Sequence, residues 1–210
     1  MSLLRGRGPR TRRLAAYLER RQRASPARRA AADAAFLRAV ERLRAVVYTD
    51  TADFTLRTAR DGILHFMMVF ERAAARVGPR VARYGGRLVK VEADSLLMCF
   101  PDVEGACHGV EGVEGLLREL NRGHPANERL HLSYGVGYGA VLELEADLFG
   151  LEVNLASKLG EDLARPGEAL LTPAATAALP PALRRRAVPH RIVTFGRTPL
   201  DIRRLRLRRA

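Results

Sequence analysis

Apolar positions along this chain recur at two periods, and the places where the period changes mark out its elements. Phe36, Leu37, Val40 and Leu43 fall at helical spacing, which predicts an amphipathic lead-in helix over residues 30–44. It runs into AVVYTD, residues 45–50, a short β-branched strand that ends in an acid. Residues 60–77 return to helical spacing, with Ile63, Phe66, Met67, Phe70 and Ala74 on one side, and Gly78-Pro79 predicts their end. In GGRLVKVEADSLLMCFP, residues 85–101, two apolar strands flank Glu92-Ala93-Asp94, which predicts a β-hairpin with the acid at its tip. A helix is predicted over 103–121, then a pair of strands in LHLSYGVGYGAVLEL, residues 130–144, bending at its three glycines. A last helix is predicted over about 152–163, before RPGEALLT turns back into a strand. Helices alternating with antiparallel pairs predict an α+β sandwich around a β-α-β-β-α-β core.

Charge divides the chain into three parts. The formal net charge is +13 over 210 residues, but residues 1–44 carry +10, residues 184–210 carry +9, and the stretch between them carries −6. Residues 1–29 are Arg, Ala, Pro and Gly with few large apolar side chains, so they read as an Arg-rich flexible or locally helical arm. The folded unit is then expected over 45–210, behind the lead-in helix. No apolar run approaches the ~20 residues of a spanning helix, and the Arg-rich start has no apolar signal core, so a cytoplasmic protein is expected. Two cysteines, Cys99 and Cys107, make neither a disulfide framework nor a zinc site. With 6% aromatic residues and no Trp, base-stacking platforms are scarce, and nucleic acid is not the expected partner. The basic ends suit contact with an acidic surface or a membrane instead. Of the 36 basic residues only Lys90 and Lys158 are lysines.

Asp50 and Asp94 each lie at the end of an apolar strand, where a carboxylate is poorly hydrated unless it meets a cation or a donor. Two such acids at one sheet edge make a Mg2+ site suited to nucleotide phosphates. The plainer alternative is a pair of turn acids or helix caps.

Four segments in order bear on that choice: VVYTDTADFT (46–55), GGRLVKVEADSLLMCF (85–100), YGVGYGAVLEL (134–144) and DLFGLEVNLASKLGEDLARPGEALLT (147–172). Together they resemble the catalytic domain of the class III nucleotidyl cyclases over about residues 44–175, most closely the adenylate cyclases. The resemblance implies a ferredoxin-like fold that works as a homodimer with its active sites between protomers. It implies conversion of ATP to 3′,5′-cyclic AMP and pyrophosphate. By resemblance, Asp50 and Asp94 hold two Mg2+ (or Mn2+) ions, Lys90 and Asp147 read the adenine, Asn154 orients the ribose, and Lys158 stabilises transition-state charge. An ammonium donor beside a carboxylate acceptor fits the N1 acceptor and N6 amino group of adenine.

Departures from the family pattern are specific. Ala93 replaces a Gly at the hairpin tip, Lys158 replaces an Arg, Ala140 stands where many members have a phosphate-contacting Arg, and Asp53 stands where a small residue is usual. Arg191 or Arg197 is a candidate replacement for the missing phosphate contact. Lys158 has a plainer reading as a solvated i,i+4 partner of Asp162. The departures leave a second reading open, a cyclase-fold nucleotide sensor or dimerisation module without turnover. His65 reads as a packed or solvated helix residue.

Overall fold

The computed structural model describes residues 8–208. Its centre is β1 (Glu41–Thr51), which pairs antiparallel on one side with β3 (Ser95–Phe100) and on the other, along its whole length, with β4 (Leu132–Glu143). β2 (Arg87–Glu92) forms the outer strand beyond β3. Past β4 the sheet continues through β6 (Ala169–Leu171), β8 (Thr198–Leu205) and β7 (Ala187–Phe195), and a two-residue β5 (Leu148–Phe149) folds back on β4. The order β4-β1-β3-β2, with helices between, is the expected βαββαβ core.

Strand alternation sends β1 side chains to two faces. Ala45 and Val47 face the larger core, with Phe66, Phe70 and Val77 of α4 (Ile63–Ala82) and Val110 and Val113 of α5 (Val103–Asn121). Val46 faces the smaller one, with Val153 and Ala156 of α6 (Leu151–Lys158). Asp102 caps α5 by accepting from the Gly105 N–H at 2.7 Å.

Four local expectations are corrected. Residues 54–82 form two helices: α3 (Phe54–Asp61) ends where Gly62 adopts φ 87°, a left-handed value that glycine reaches without Cβ strain. α4 then runs past Gly78-Pro79 to Ala82; Pro79 lies in its final turn, where one lost backbone donor is tolerated because seven residues of the helix are buried in the core. The segment 30–44 divides, with α2 (Pro26–Val40) ending before β1 starts at Glu41.

The fourth correction bears on the site. Residues 130–144 contain no bend: β4 is one strand through Gly135, Gly137 and Gly139. A Cβ at Gly135 would lie 1.9 Å from the Ala156 carbonyl oxygen, and one at Gly137 2.5 Å from that of Glu152. The glycines let α6 lie directly on the strand. Glu152 then fastens the contact, its carboxylate accepting from the Tyr138 N–H at 3.0 Å and the Thr172 hydroxyl at 2.7 Å.

The described part of the basic arm is a helical hairpin of α1 (Pro9–Arg23) and α2. Tyr17 and Phe36 stack with centroids 3.9 Å apart, and Arg21 chelates Asp33. The first turn of α1 docks on Glu145, which accepts from the Arg10 N–H and from the N–H and hydroxyl of Thr11. The first seven residues of the expected arm lie outside the described residues. No helix among the described residues is long and apolar enough to cross a membrane.

Candidate active site

Asp50 is the penultimate residue of β1, opposite Ser133 of β4. The hairpin tip carrying Asp94 is tied to the same strand end, because the Thr51 hydroxyl donates to the Asp94 carbonyl at 2.7 Å. Two residues earlier on β1, the Thr49 hydroxyl accepts from the Leu96 N–H of β3 at 3.0 Å. Ala93 takes φ 51°, the left-handed turn conformation that the expected glycine would adopt without strain; the Cβ costs about 1 kcal/mol.

The two carboxylates feel each other. Burial first, then the negative charges of Asp94 and Glu161, push Asp50 up to about 6 against a backbone hydrogen bond at Thr51 that pulls it down. Burial and the charge of Glu161 raise Asp94 as well. Neither carboxylate has an ion-pair partner among the described residues. Among the described residues no cluster of three or more His, Cys, Asp or Glu has metal-holding geometry. A pair of carboxylates leaves most of an octahedral shell to water and phosphate oxygens, the mixed donor set magnesium takes beside nucleotides, so the residues fit that ion.

Glu161 and Asp162 were not foreseen as part of this field. They reach it because the helix widens after α6 into a π segment, Leu159–Leu163. Its Gly160 carbonyl accepts from the Ser133 hydroxyl at 2.8 Å, and the same hydroxyl reaches the Asp50 carbonyl at 3.3 Å. The acid run in LASKLGEDL was the signal, but helical spacing alone does not turn it towards β1.

Lys90 and Asp147 are brought together across 57 residues of chain, Nζ to Oδ2 at 3.6 Å. A bulge between Leu88 and Lys90 re-aims the lysine, and Glu92, also unforeseen, holds it more tightly at 2.8 Å. Glu92 first and Asp147 after it raise the lysine above its ordinary pKa. Asp147 sits in the turn from β4 to β5, its Oδ1 accepting from the Leu148 N–H at 2.9 Å.

Asn154 is exposed on α6. Lys158 pairs with Asp162 at 2.5 Å, both side chains about half exposed, which is the solvated i,i+4 arrangement weighed against its substrate role. Ala140 is exposed on β4 opposite Leu43. Asp53 takes φ 59° at the start of α3, where its carbonyl accepts from the Arg57 N–H at 2.8 Å, a local structural role. Arg191 donates to the Leu163 carbonyl at 3.4 Å, at the end of the π segment, and Arg197 lies in the β7–β8 turn. His65 Nε2 lies 3.2 Å from the Asn127 carbonyl and packs as expected.

No protein-family model matches the chain. It is 28% identical over 126 residues to "Putative adenylate cyclase 3" of Rhizobium meliloti, covering 60% of this chain and 21% of that protein. It is 32% identical over 146 residues to an adenylate cyclase of Streptomyces coelicolor, covering 68% and 36%. The matches thus span about a fifth to a third of these relatives. Among solved structures, the catalytic core of a rhodopsin-guanylyl cyclase with converted specificity, in complex with ATPαS, superposes with TM-score 0.68 at 18% identity, over 80% of this chain and 97% of that one. An adenylyl cyclase from P. aeruginosa gives 0.65 at 16%, over 80% and 96%. The chain therefore has the fold of the class III adenylyl and guanylyl cyclase catalytic domains, and its sequence is similar to adenylate cyclases.

Proposed function

We propose that this domain is an adenylate cyclase that converts ATP to 3′,5′-cyclic AMP and pyrophosphate at sites shared between two copies of the chain. The observation that carries the reading is that Asp50 and Asp94 lie at one sheet edge with no cationic partner among the described residues, while the Lys90–Asp147 pair stands ready elsewhere on the same chain. A nucleoside triphosphate brings cations to the first pair and a base to the second. The names of the sequence relatives and the ATPαS bound in a fold neighbour support the same class of substrate.

Asp50 and Asp94 of one protomer would hold the two Mg2+ (or Mn2+) ions, which when bound supply Lewis acidity to the ribose 3′-hydroxyl and the triphosphate. The 3′-oxygen bonds to the α-phosphorus, the bond to the β-phosphate bridging oxygen breaks, pyrophosphate departs, and the 3′ proton passes to solvent. Lys90 of the second protomer donates to adenine N1, and Asp147 accepts from the N6 amino group. Guanine presents an N1–H donor to Lys90 and the O6 acceptor to Asp147, so both contacts are opposed, and the opposed Lys90 donor alone costs about 1–3 kcal/mol. Asn154 orients the ribose. Lys158 exchanges Asp162 for the phosphates, at small cost because an exposed i,i+4 pair is worth about 0.3–0.5 kcal/mol. As a single charge without the guanidinium fork, it predicts slower turnover than an arginine there.

The same Lys158–Asp162 pair favours a second reading, a nucleotide-binding sensor or dimerisation module without turnover. Incubation of the dimeric protein with each of the four nucleoside triphosphates under Mg2+ and Mn2+ separates the two. Cyclic AMP with pyrophosphate from ATP supports the cyclase; triphosphate binding with no cyclic product from any of the four supports the sensor.

A further inference from the structure

Between the N-terminal helical hairpin and the sheet lies a cavity of about 150 Å³, away from the site described above. One side of its wall is apolar, from Leu14, Phe36, Val40 and Leu142; the other carries Arg10, Arg13, Arg42 and Arg44. A single acid, Glu143, faces these four arginines. It is bound by Arg44 at 3.0 Å, by Arg10 at 3.6 Å, and by Arg87 from β2 at 3.3 Å. Arg42 turns a guanidinium nitrogen to the carbonyl of its neighbour Glu41 at 2.7 Å, and Arg13 makes no ion pair among the described residues.

Guanidinium groups keep their charge at any physiological pH, so one carboxylate leaves the cavity strongly positive. Positive charges gathered around a partly apolar space repel one another, and an anion that enters relieves that repulsion. A bare phosphate would leave the apolar wall unused, and a neutral apolar molecule would leave the arginines unpaired. We infer that this cavity binds a small amphipathic carboxylate, an aromatic or short acyl body lying on Leu14 and Phe36 with its carboxylate among Arg13, Arg42 and Arg44. The size agrees, since a cavity of about 150 Å³ accommodates a benzene-sized body. The floor, Leu142–Leu144, runs into the turn that carries Asp147, so an occupant braces the base of that turn as well as the α1–α2 hairpin.

Binding is measured directly, with no reference to turnover. Isothermal titration of the full chain with benzoate, benzyl alcohol and acetate compares charge plus body with each alone. Benzoate is expected to bind at least ten-fold more tightly than either analogue. Arg13→Ala and Arg42→Ala, both at exposed side chains, are each expected to weaken benzoate about ten-fold, while Arg38→Ala, outside the cavity, leaves it unchanged. Equal affinity for benzyl alcohol and benzoate, binding of acetate as tight as benzoate, or unchanged benzoate affinity in both cavity variants with circular dichroism intact would each overturn the inference.

Discussion

Replacing Asp50 by Asn tests whether the site is built to be short of a cation. A carboxylate whose folded-state pKa is raised from 3.8 to about 6 binds more protons in the folded than in the unfolded chain across that interval. Stability contributed by this group is therefore greatest below about pH 4 and declines as pH climbs towards 6, after which the folded state bears the whole penalty of a poorly hydrated, repelled anion. A shift of about two units corresponds to ~3 kcal/mol. Asp50 is only half-buried, and screening by solvent reduces this to about 1–2 kcal/mol. Asn keeps the shape and the acceptor that Thr51 uses and removes the charge. In EDTA-treated buffer, urea unfolding at pH 7.5 should show Asp50→Asn more stable than the parent by about 1–2 kcal/mol, with the gap closing by about pH 4. Millimolar Mg2+ at pH 7.5 should then stabilise the parent and leave the variant where it was. A variant less stable than the parent at pH 7.5, or a gap that does not vary with pH, would refute the electrostatic reading of the Asp50–Asp94 pair.

Gly135→Ala should destabilise the fold by about 3 kcal/mol in urea unfolding, because its Cβ meets backbone atoms of α6 that cannot yield. Gly115→Ala, inside α5, where the nearest contact of its Cβ is the flexible end of Arg118 at 3.8 Å, should instead stabilise by about 0.5–1 kcal/mol. Lys90→Ala should lower the preference for ATP over GTP about ten-fold, read as the ratio of kcat/KM values, with little change in melting temperature. Glu145→Ala should release the first turn of α1, seen as faster hydrogen exchange at Thr11 through Leu14 while the amides of β1 keep their protection.

The Asp50 and Asp94 placements were legible because local signals agreed with the tertiary outcome: a β-branched run ending in an acid, and an acidic turn between apolar strands. The reading failed where a residue's role depends on what lies across space. Three alternating glycines look like a bend when glycine is taken as punctuation, yet here they are the smooth side of a strand on which a helix rests. Glu161 and Asp162 reach Asp50 only through a π turn, whose register no helical period announces. The first turn of α1 is held by Glu145, more than 130 residues away from Thr11, so composition alone left the arm as flexible or locally helical. At Lys90 the partner Asp147 was legible through resemblance, whereas Glu92, two residues along the same strand, was the nearer contact.

The central claim is that each active site takes the metal carboxylates from one copy of the chain and Asn154 and Lys158 from another. Asp50→Ala and Asn154→Ala chains, each purified, mixed and allowed to exchange subunits, test it through cyclic AMP produced from ATP. In a two-fold dimer the mixed species keeps one intact site of two, so random exchange should return about a quarter of parental activity from two variants that are each nearly inactive alone. Activity in the mixture no greater than the mean of the separate variants, with mixed dimers demonstrated by mass spectrometry, would contradict it.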